Sequence, residues 1–369
     1  MIIMIDNVFV PSFGNKPKNL VGREAILNRL YNGINSVPGS REKAQLILGQ
    51  RGLGKTVLLL MLAEEARKQG MIVASPTVVS GNMIDRIIEK LNDEGGKFID
   101  KKSKISGGNV SVLGFGAGIQ VSEETSFPKS SEQRLVELCR LFNSKGHSVL
   151  LLVDEVQANQ ESLKQLIVTY QELVGEGADI SLVMAGLPGS VSAVLNDHVL
   201  TFLNRASKLE LEPLNLNDIN IYYRKVFKEL GIELTDKMID DATSMTGGSP
   251  YLMQLIGHYI TIAANDKGKL DKTDYQKSLD NALDDYKNDI CQTSIAPLSD
   301  RDIEFLTAMA EDENESEISE IAERLGCTSS FAQTYKRRLL QAGLIEQHRR
   351  GKVRFAVPYL AEYINSGKI

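Results

Sequence analysis

The sequence predicts an α/β protein in which a parallel sheet is covered by helices on both faces. An all-helical segment follows, then a C-terminal unit of helices closed by two strands. Three observations carry this expectation. From Ala44 to about Leu211, short apolar runs alternate with helix-length amphipathic segments. From Pro213 to about Asn265 the strand-like runs stop, and from Leu298 helical patterns return before a short, basic strand-turn-strand pattern.

The strand candidates are "AQLILG" (44–49), "MIVAS" (71–75), "VLLLVDE" (149–155), "ISLVMAG" (180–186) and "KLELEPL" (208–214). They are nearly continuous in apolar residues, as strands buried on both faces are, and helical patterns separate them. That alternation argues for a parallel sheet between helix layers. In the next segment, "LNDINIYYRKVFKELG", "TDKMIDDATSMTG" and "SPYLMQLIGHYITIA" carry helical spacing, with Asp, Thr or Ser at their starts. The expected division is a core at 1–212, a helical domain at 213–265, a polar linker with some helical pattern at 266–296, and a last domain at 297–369. The apolar start, "MIIMIDNVFVPSF", lacks a basic n-region and reads as a buried strand. Between the second and third strands, Ser106 to Glu124 alternates in apolarity and turns at glycines, which predicts a β-hairpin.

Bulk properties narrow the class. The net charge is -6 over 369 residues, so this is no polycation that coats nucleic acid indiscriminately, and any basic surface must be local. Cys139, Cys291 and Cys327 are odd in number and widely spaced, which argues against a disulfide framework or zinc site and for a reducing, cytoplasmic location. The densest apolar runs, 57–62 and 149–153, are far shorter than the roughly 20 residues that span a bilayer, so no membrane segment is expected.

"GQRGLGKT" (Gly49, Gln50, Arg51, Gly52, Leu53, Gly54, Lys55, Thr56) fits G-x-x-x-x-G-K-[ST], directly after an apolar strand and opening a helix. The glycines let backbone N–H groups converge on phosphate oxygens at a helix N-terminus, Lys55 places a charge on the outer phosphates, and the Thr56 hydroxyl can ligate magnesium. "VLLLVDE" then ends a strand in two carboxylates. Asp154 suits a magnesium site and Glu155 suits orientation of an attacking water. Together these predict a site for ATP or ADP with Mg2+.

This pair of motifs, followed by a helical lid, resembles the AAA+ superfamily of ATPases from about Pro11 to Asn265. "NLVGREAILNRL" resembles the linker shared by Orc1/Cdc6-like initiators and STAND signalling ATPases, and the resemblance implies that Val21, Gly22 and Arg23 lie at the base pocket. It also implies that Arg205, in "TFLNRASKLEL", acts as an arginine finger toward a neighbouring copy, though an exposed Arg capping a helix end is an equal alternative. "TGGSPYLMQL" resembles the GxP motif of STAND lids and puts Pro250 near the nucleotide. Two departures stand out. Ala185 and Gly186 occupy the place where AAA+ enzymes carry a polar sensor, and the lid lacks a second-sensor arginine. Slow, regulated hydrolysis is the expectation.

"LSDRDIEFLTAMAED", "SEISEIAERLG", "FAQTYKRRLLQAG" and "LIEQHRRGKVRFAVP" resemble a winged helix-turn-helix. Ile303, Leu306, Ile318, Ile321, Leu325, Ala332, Tyr335 and Leu339 are spaced to form its core. That leaves Ser330, Gln333, Thr334 and Arg337 as a base-reading edge and Arg349, Arg350 and Lys352 as a phosphate grip at the wing. Between Lys336 and Arg354 there are seven basic residues against one acid, whereas Asp300 to Glu323 holds ten acids against one Arg. This segregation favours DNA as partner, with acids kept off the basic face.

The expected function is ATP-dependent control of DNA binding, with assembly into a homo-oligomer through AAA+ interfaces. Two alternatives remain open. One is a STAND-like ATP/ADP switch whose winged helix is an arm for an unidentified protein partner; the other is a nucleotide-bound scaffold without turnover.

Overall fold

The apolar runs form one parallel five-stranded sheet: β1 Ala44–Leu48, β2 Ile72–Val78, β3 Val149–Val156, β4 Ile180–Gly186 and β5 Ser207–Glu210, in the spatial order β2-β3-β4-β1-β5. The computed structural model describes residues 8–11, 20–98, 129–157, 160–198, 200–264 and 268–367. The expected hairpin at 106–124 lies outside them.

Alternation along each strand sorts side chains into two layers. Ile47, Val73, Leu150, Leu152 and Val183 face α1 (Glu24–Ile34) and α2 (Lys55–Lys68). Leu46, Leu48, Val149, Leu151 and Met184 face α3 (Met83–Gly95), α4 (Ser131–Ser144) and α5 (Glu161–Gly175). Burial on both faces explains the unbroken apolar runs. The fifth strand is shorter than its apolar pattern suggests, because the chain leaves the sheet toward Pro213 after Leu211 donates its N–H to the Leu48 carbonyl at 2.7 Å.

After α6 (Pro188–Leu195) and β5, the lid comprises α7 (Leu216–Glu229), α8 (Asp236–Met245), α9 (Pro250–Ala263) and α10 (Lys272–Tyr286). The stretch 266–296, read from sequence as a linker, is therefore largely structural. From α10 the chain continues through a π-helical turn, Lys287–Gln292, into the single turn α11 (Thr293–Ile295), burying Tyr286, Cys291 and Ile295. Acidic residues on the outer side of α10 made this segment look polar, while Tyr275, Leu279 and Ala282 on its inner side are buried.

Of the apolar start read as a strand, residues 1–7, 12 and 13 lie outside the described residues, and the described part differs from expectation. Residues 8–11 form no strand; instead Phe9 inserts into the lid against Tyr222, Tyr223 and Phe227, and the Val10 N–H donates to Gln254 Oε1 at 2.9 Å. Gly257 makes room for it, since a side chain there would begin 2.2 Å from the Phe9 ring.

The C-terminal unit runs α12 (Asp300–Met309), β6 (Ser316–Glu317), α13 (Ile318–Arg324), α14 (Ser329–Gln341), β7 (Ile345–Arg349), β8 (Lys352–Phe355) and α15 (Leu360–Asn365), with an antiparallel sheet in the order β6-β8-β7. This order is consistent with a winged helix. Leu306, Ile318, Ile321, Ala332 and Leu339 are buried as expected, while Ile303, Leu325 and Tyr335 are only half-buried, and Phe305 fills the centre instead. One continuous apolar core joins this unit to the lid. No helix among the described residues is long and apolar enough to cross a membrane.

Phe9→Ala is expected to cost about 3 kcal/mol, the usual cost of emptying a buried aromatic site. Urea unfolding checks it; a loss below about 1 kcal/mol would mean that this segment does not dock on the lid.

Candidate nucleotide-binding site

The loop from Gly49 to Gly54 connects β1 to α2. Gly52 (φ +76°) and Gly54 (φ +84°) take backbone conformations that strain other residues, which is why glycine stands at both. Gly54 caps α2 without a side-chain hydrogen bond, so the first-turn N–H groups of that helix remain available to an anion.

Lys55 Nζ donates to the carbonyls of Gly49 and Gln50, both at 2.8 Å. Burial of its ammonium pushes its pKa down to about 8; Asp154 and Glu155 oppose that shift, and the nearby cation Arg51 adds to it. At the next residue, Thr56 Oγ1 donates to Asp154 Oδ2 at 2.6 Å, while Asp154 Oδ1 accepts the Glu155 N–H at 2.9 Å. Asp154 is 5% exposed and forms no ion pair among the described residues. A buried carboxylate held only by a hydroxyl and an amide, with that hydroxyl at the mouth of the phosphate loop, is a donor set that fits a hard divalent cation.

Glu155 points the other way. It is exposed at φ +54°, where the pairing of β3 with β4 slips between Val153 and Val156. Such a backbone is costly for a residue with a Cβ and sends the carboxylate out of the sheet beside Asp154. At the end of neighbouring β4, the Gly186 carbonyl accepts the Gly49 N–H at 3.3 Å, and a side chain on Gly186 would begin 3.1 Å from Val156 and Val191. A larger residue at Gly186 would therefore need Val156 and Val191 to shift slightly, and Ala185 beside it is buried.

The lid closes over the loop. A side chain on Gly52 would meet Ser249 Oγ at 3.8 Å, Ile290 at 3.9 Å and Tyr251 at 4.0 Å. Pro250 is the first residue of α9, between Ser249 and Tyr251, so its motif does lie against the phosphate loop. Tyr251 and Ile290 were missed from sequence. Tyr251 adjoins the Pro250 motif and could have been noticed, whereas Ile290 carries no local signal.

Arg23 caps α1 with its guanidinium buried, donating to the Glu212 carbonyl. Burial lowers its pKa, and its Nε has no partner. Gly22 faces Asp218 and Leu214, and Val21 packs at the edge of the lid core, so this linker sits at the hinge between sheet and lid. Arg205 ends a 3-10 turn before β5, exposed and without an ion pair among the described residues.

In the C-terminal unit, Ser330, Gln333, Thr334 and Arg337 are exposed on α14. Gln333 and Ser329 form one wall of a groove of about 290 Å3, with Arg350, Gly351 and Lys352 of the wing opposite. The charge segregation is less complete than composition suggested. Lys352 pairs with Glu315 (2.7 Å) and Glu317 (3.5 Å), because β6 lies beside β8, and Arg338 pairs with buried Asp302 at 2.7 Å. Arg354 pairs with Glu346. Arg337, Arg349 and Arg350 form no ion pair among the described residues.

Comparison with known proteins agrees with this geometry. Residues 19–183 match the AAA ATPase domain family, and residues 288–364 match a domain of unknown function (DUF8462). No curated protein matches the sequence significantly. Among solved structures, a Walker-type ATPase of Pyrococcus abyssi is 16% identical with TM-score 0.69, over 97% of this chain and 99% of that one. The ORC2 protein of Aeropyrum pernix, in ADPNP-ADP complexes, is 16% identical with TM-score 0.63, over 98% and 97%. Cdc6p from Pyrobaculum aerophilum is 17% identical with TM-score 0.51, over 96% of each chain. Residues 19–183 therefore match the AAA ATPase domain family, and the chain has the fold of the Orc1/Cdc6-like AAA+ P-loop ATPases among these structures.

Nucleotide phosphates favour the charged form of Lys55 and raise its pKa on binding. Above pH 8 the free protein carries fewer protons than the complex, so affinity should fall as pH rises, by up to about tenfold per unit, with proton uptake. Titration calorimetry in buffers of different ionisation enthalpy measures both; constant affinity from pH 7 to 9.5 would contradict this account.

Proposed function

We propose that the chain binds and slowly hydrolyses ATP and couples the bound nucleotide to DNA binding by its C-terminal unit. On the ATPase side, the supporting observation is the junction of the two motifs, the 2.6 Å bond from Thr56 to Asp154. Gly49–Thr56 would hold the phosphates, Thr56 and Asp154 would hold magnesium, and Glu155 would orient and polarise the attacking water. Magnesium supplies charge neutralisation at the phosphates. Val21, Gly22, Arg23 and Pro250 would border the nucleotide at the hinge and lid. Arg205, exposed and without an ion pair among the described residues, would serve the site of a neighbouring copy in an oligomer. Crowding at Gly186 leaves no side chain there to assist, which supports slow turnover.

For DNA, the carrying observation is the set of exposed arginines Arg337, on α14, and Arg349 and Arg350, at the wing, which form no ion pair among the described residues; Arg350 also lines the groove with Gln333, beside Lys352 and Glu317. Ser330, Gln333, Thr334 and Arg337 would reach base edges, and Arg349 and Arg350 phosphates. Lys352, held by Glu315, would contribute only by exchanging that partner for a phosphate. The reading of this unit as a protein-interaction arm has one observation in its favour. Phe331 is 41% exposed on α14, against Tyr335 in a tilted ring contact with centroids 4.6 Å apart.

Two measurements decide among these. Duplex binding by the full chain should weaken with salt, and Arg349→Ala should reduce the slope of log K against log salt by about one; absence of binding at low salt would leave the protein-arm reading. Glu155→Gln should lower turnover by about 10²-fold, whereas unchanged turnover would favour a nucleotide-bound scaffold.

A further inference from the structure

Two close approaches tie the C-terminal unit to the rim of the phosphate loop. Gly189, in α6, lies so near the end of α14 that a side chain there would begin 2.2 Å from the Gln341 Cα and 2.7 Å from its carbonyl oxygen. A side chain on Gly343, in the turn between α14 and β7, would begin 2.3 Å from Gln50 Oε1 and 3.2 Å from Leu187. Gln50 belongs to the phosphate loop, and its Oε1 is buried without a hydrogen-bond partner. Its backbone carbonyl accepts from Lys55 Nζ. One residue thus meets the phosphate-seeking ammonium with its carbonyl and the C-terminal unit with its side chain.

We propose that Gln50 is a positioning residue that, through Gly343, couples occupancy of the phosphate loop to docking of the C-terminal unit, with the nucleotide-free loop holding the docked form. The inference rests on reading Gly49–Thr56 as a nucleotide site. A phosphate that draws the Lys55 ammonium toward itself removes the donor that anchors the Gln50 carbonyl. The Gln50 peptide can then turn, carrying with it the side chain packed on Gly343. The Gly189–Gln341 contact is backbone on backbone and has little slack, so a small displacement there is passed on, whereas the Gln50 side-chain end on Gly343 can turn and so acts as the movable part. Gln341 and the exposed edge from Ser330 to Arg337 belong to one helix, so release of its last turn moves that edge as a unit. Linkage requires the converse: a change that undocks the unit must tighten nucleotide binding.

The test uses the full chain. Gly189→Ala suits a helix, and Gly343→Asn suits a left-handed turn at φ +69°, yet each drives an atom into the interface from opposite sides. Amide hydrogen exchange at 187–195 and 339–345 is followed with and without a non-hydrolysable ATP analogue, together with analogue affinity. In the wild type, exchange at both segments should rise at least about threefold with analogue. The variants should exchange at the faster rate without it and bind it about 5–10-fold more tightly. Analogue bound by the wild type with exchange unchanged at both segments overturns the coupling and leaves the nucleotide site standing, and that arm needs no variant. Folded variants with wild-type affinity overturn it equally. No analogue binding by the wild type overturns the site reading, and the coupling with it.

Discussion

The apolar core shared by the lid and the C-terminal unit constrains everything else in the molecule. It runs from Phe9 through α7–α10 and the π-helical turn into α12–α15, without a polar seam between the two parts. Separating them would expose Tyr286, Cys291, Ile295 and Leu360 to water, at about 25 cal/mol for each Å2 of apolar surface. Specific bonds fasten the same junction: the Tyr359 hydroxyl donates to the Met245 carbonyl at 2.6 Å, and Lys287 pairs with Glu362 at 3.5 Å. Lid and C-terminal unit are therefore best treated as one body facing the sheet. The phosphate loop lies where that body meets the sheet, with Ser249, Tyr251 and Ile290 on the Gly52 side and Gly343 on the Gln50 side.

Enclosure of this kind sets the electrostatics of the site. Lys55 and Asp154 are drawn out of bulk water before any phosphate or metal arrives, and each is satisfied by neutral partners: two carbonyls for the lysine, a hydroxyl and an amide for the aspartate. Such pairing is adequate but replaceable. A phosphate offers the lysine a charged acceptor and a divalent cation offers the aspartate a charged partner, so both exchanges gain charge-assisted interactions where the low local dielectric makes them count. The depressed lysine pKa reflects the same desolvation.

What the sequence made legible was local. The phosphate loop shows in the spacing of Gly49, Gly54, Lys55 and Thr56, and β3 with its carboxylates shows in an apolar run ending at Asp154. Each is a contiguous pattern with its own chemistry. What stayed hidden depends on long-range contact. Strand order is invisible because β1 pairs with β4 and β5, more than 130 residues away in sequence. Phe9 reads as a strand residue until Gly257 is known to lie beneath it. Lys352 reads as a free cation until β6 brings Glu315 alongside. The segment 266–296 reads as a linker because the acids on α10 outweigh, in composition, the few apolar residues that anchor it.

The corner after β4 draws these strands together. In the proteins that this chain resembles, the end of this strand presents a polar sensor to the nucleotide. Here Gly186 stands so close to Val156 and Val191 that a side chain would need them to shift by a few tenths of an ångström, and three residues later Gly189 admits the backbone of α14. Two glycines at one corner have different consequences: one leaves the strand end without a polar side chain, and the other creates a seat for the C-terminal unit beside the phosphate loop. The strand end that lacks a polar side chain is thus also the one that contacts α14. On the proposed reading, that arrangement fits a protein whose nucleotide reports a state.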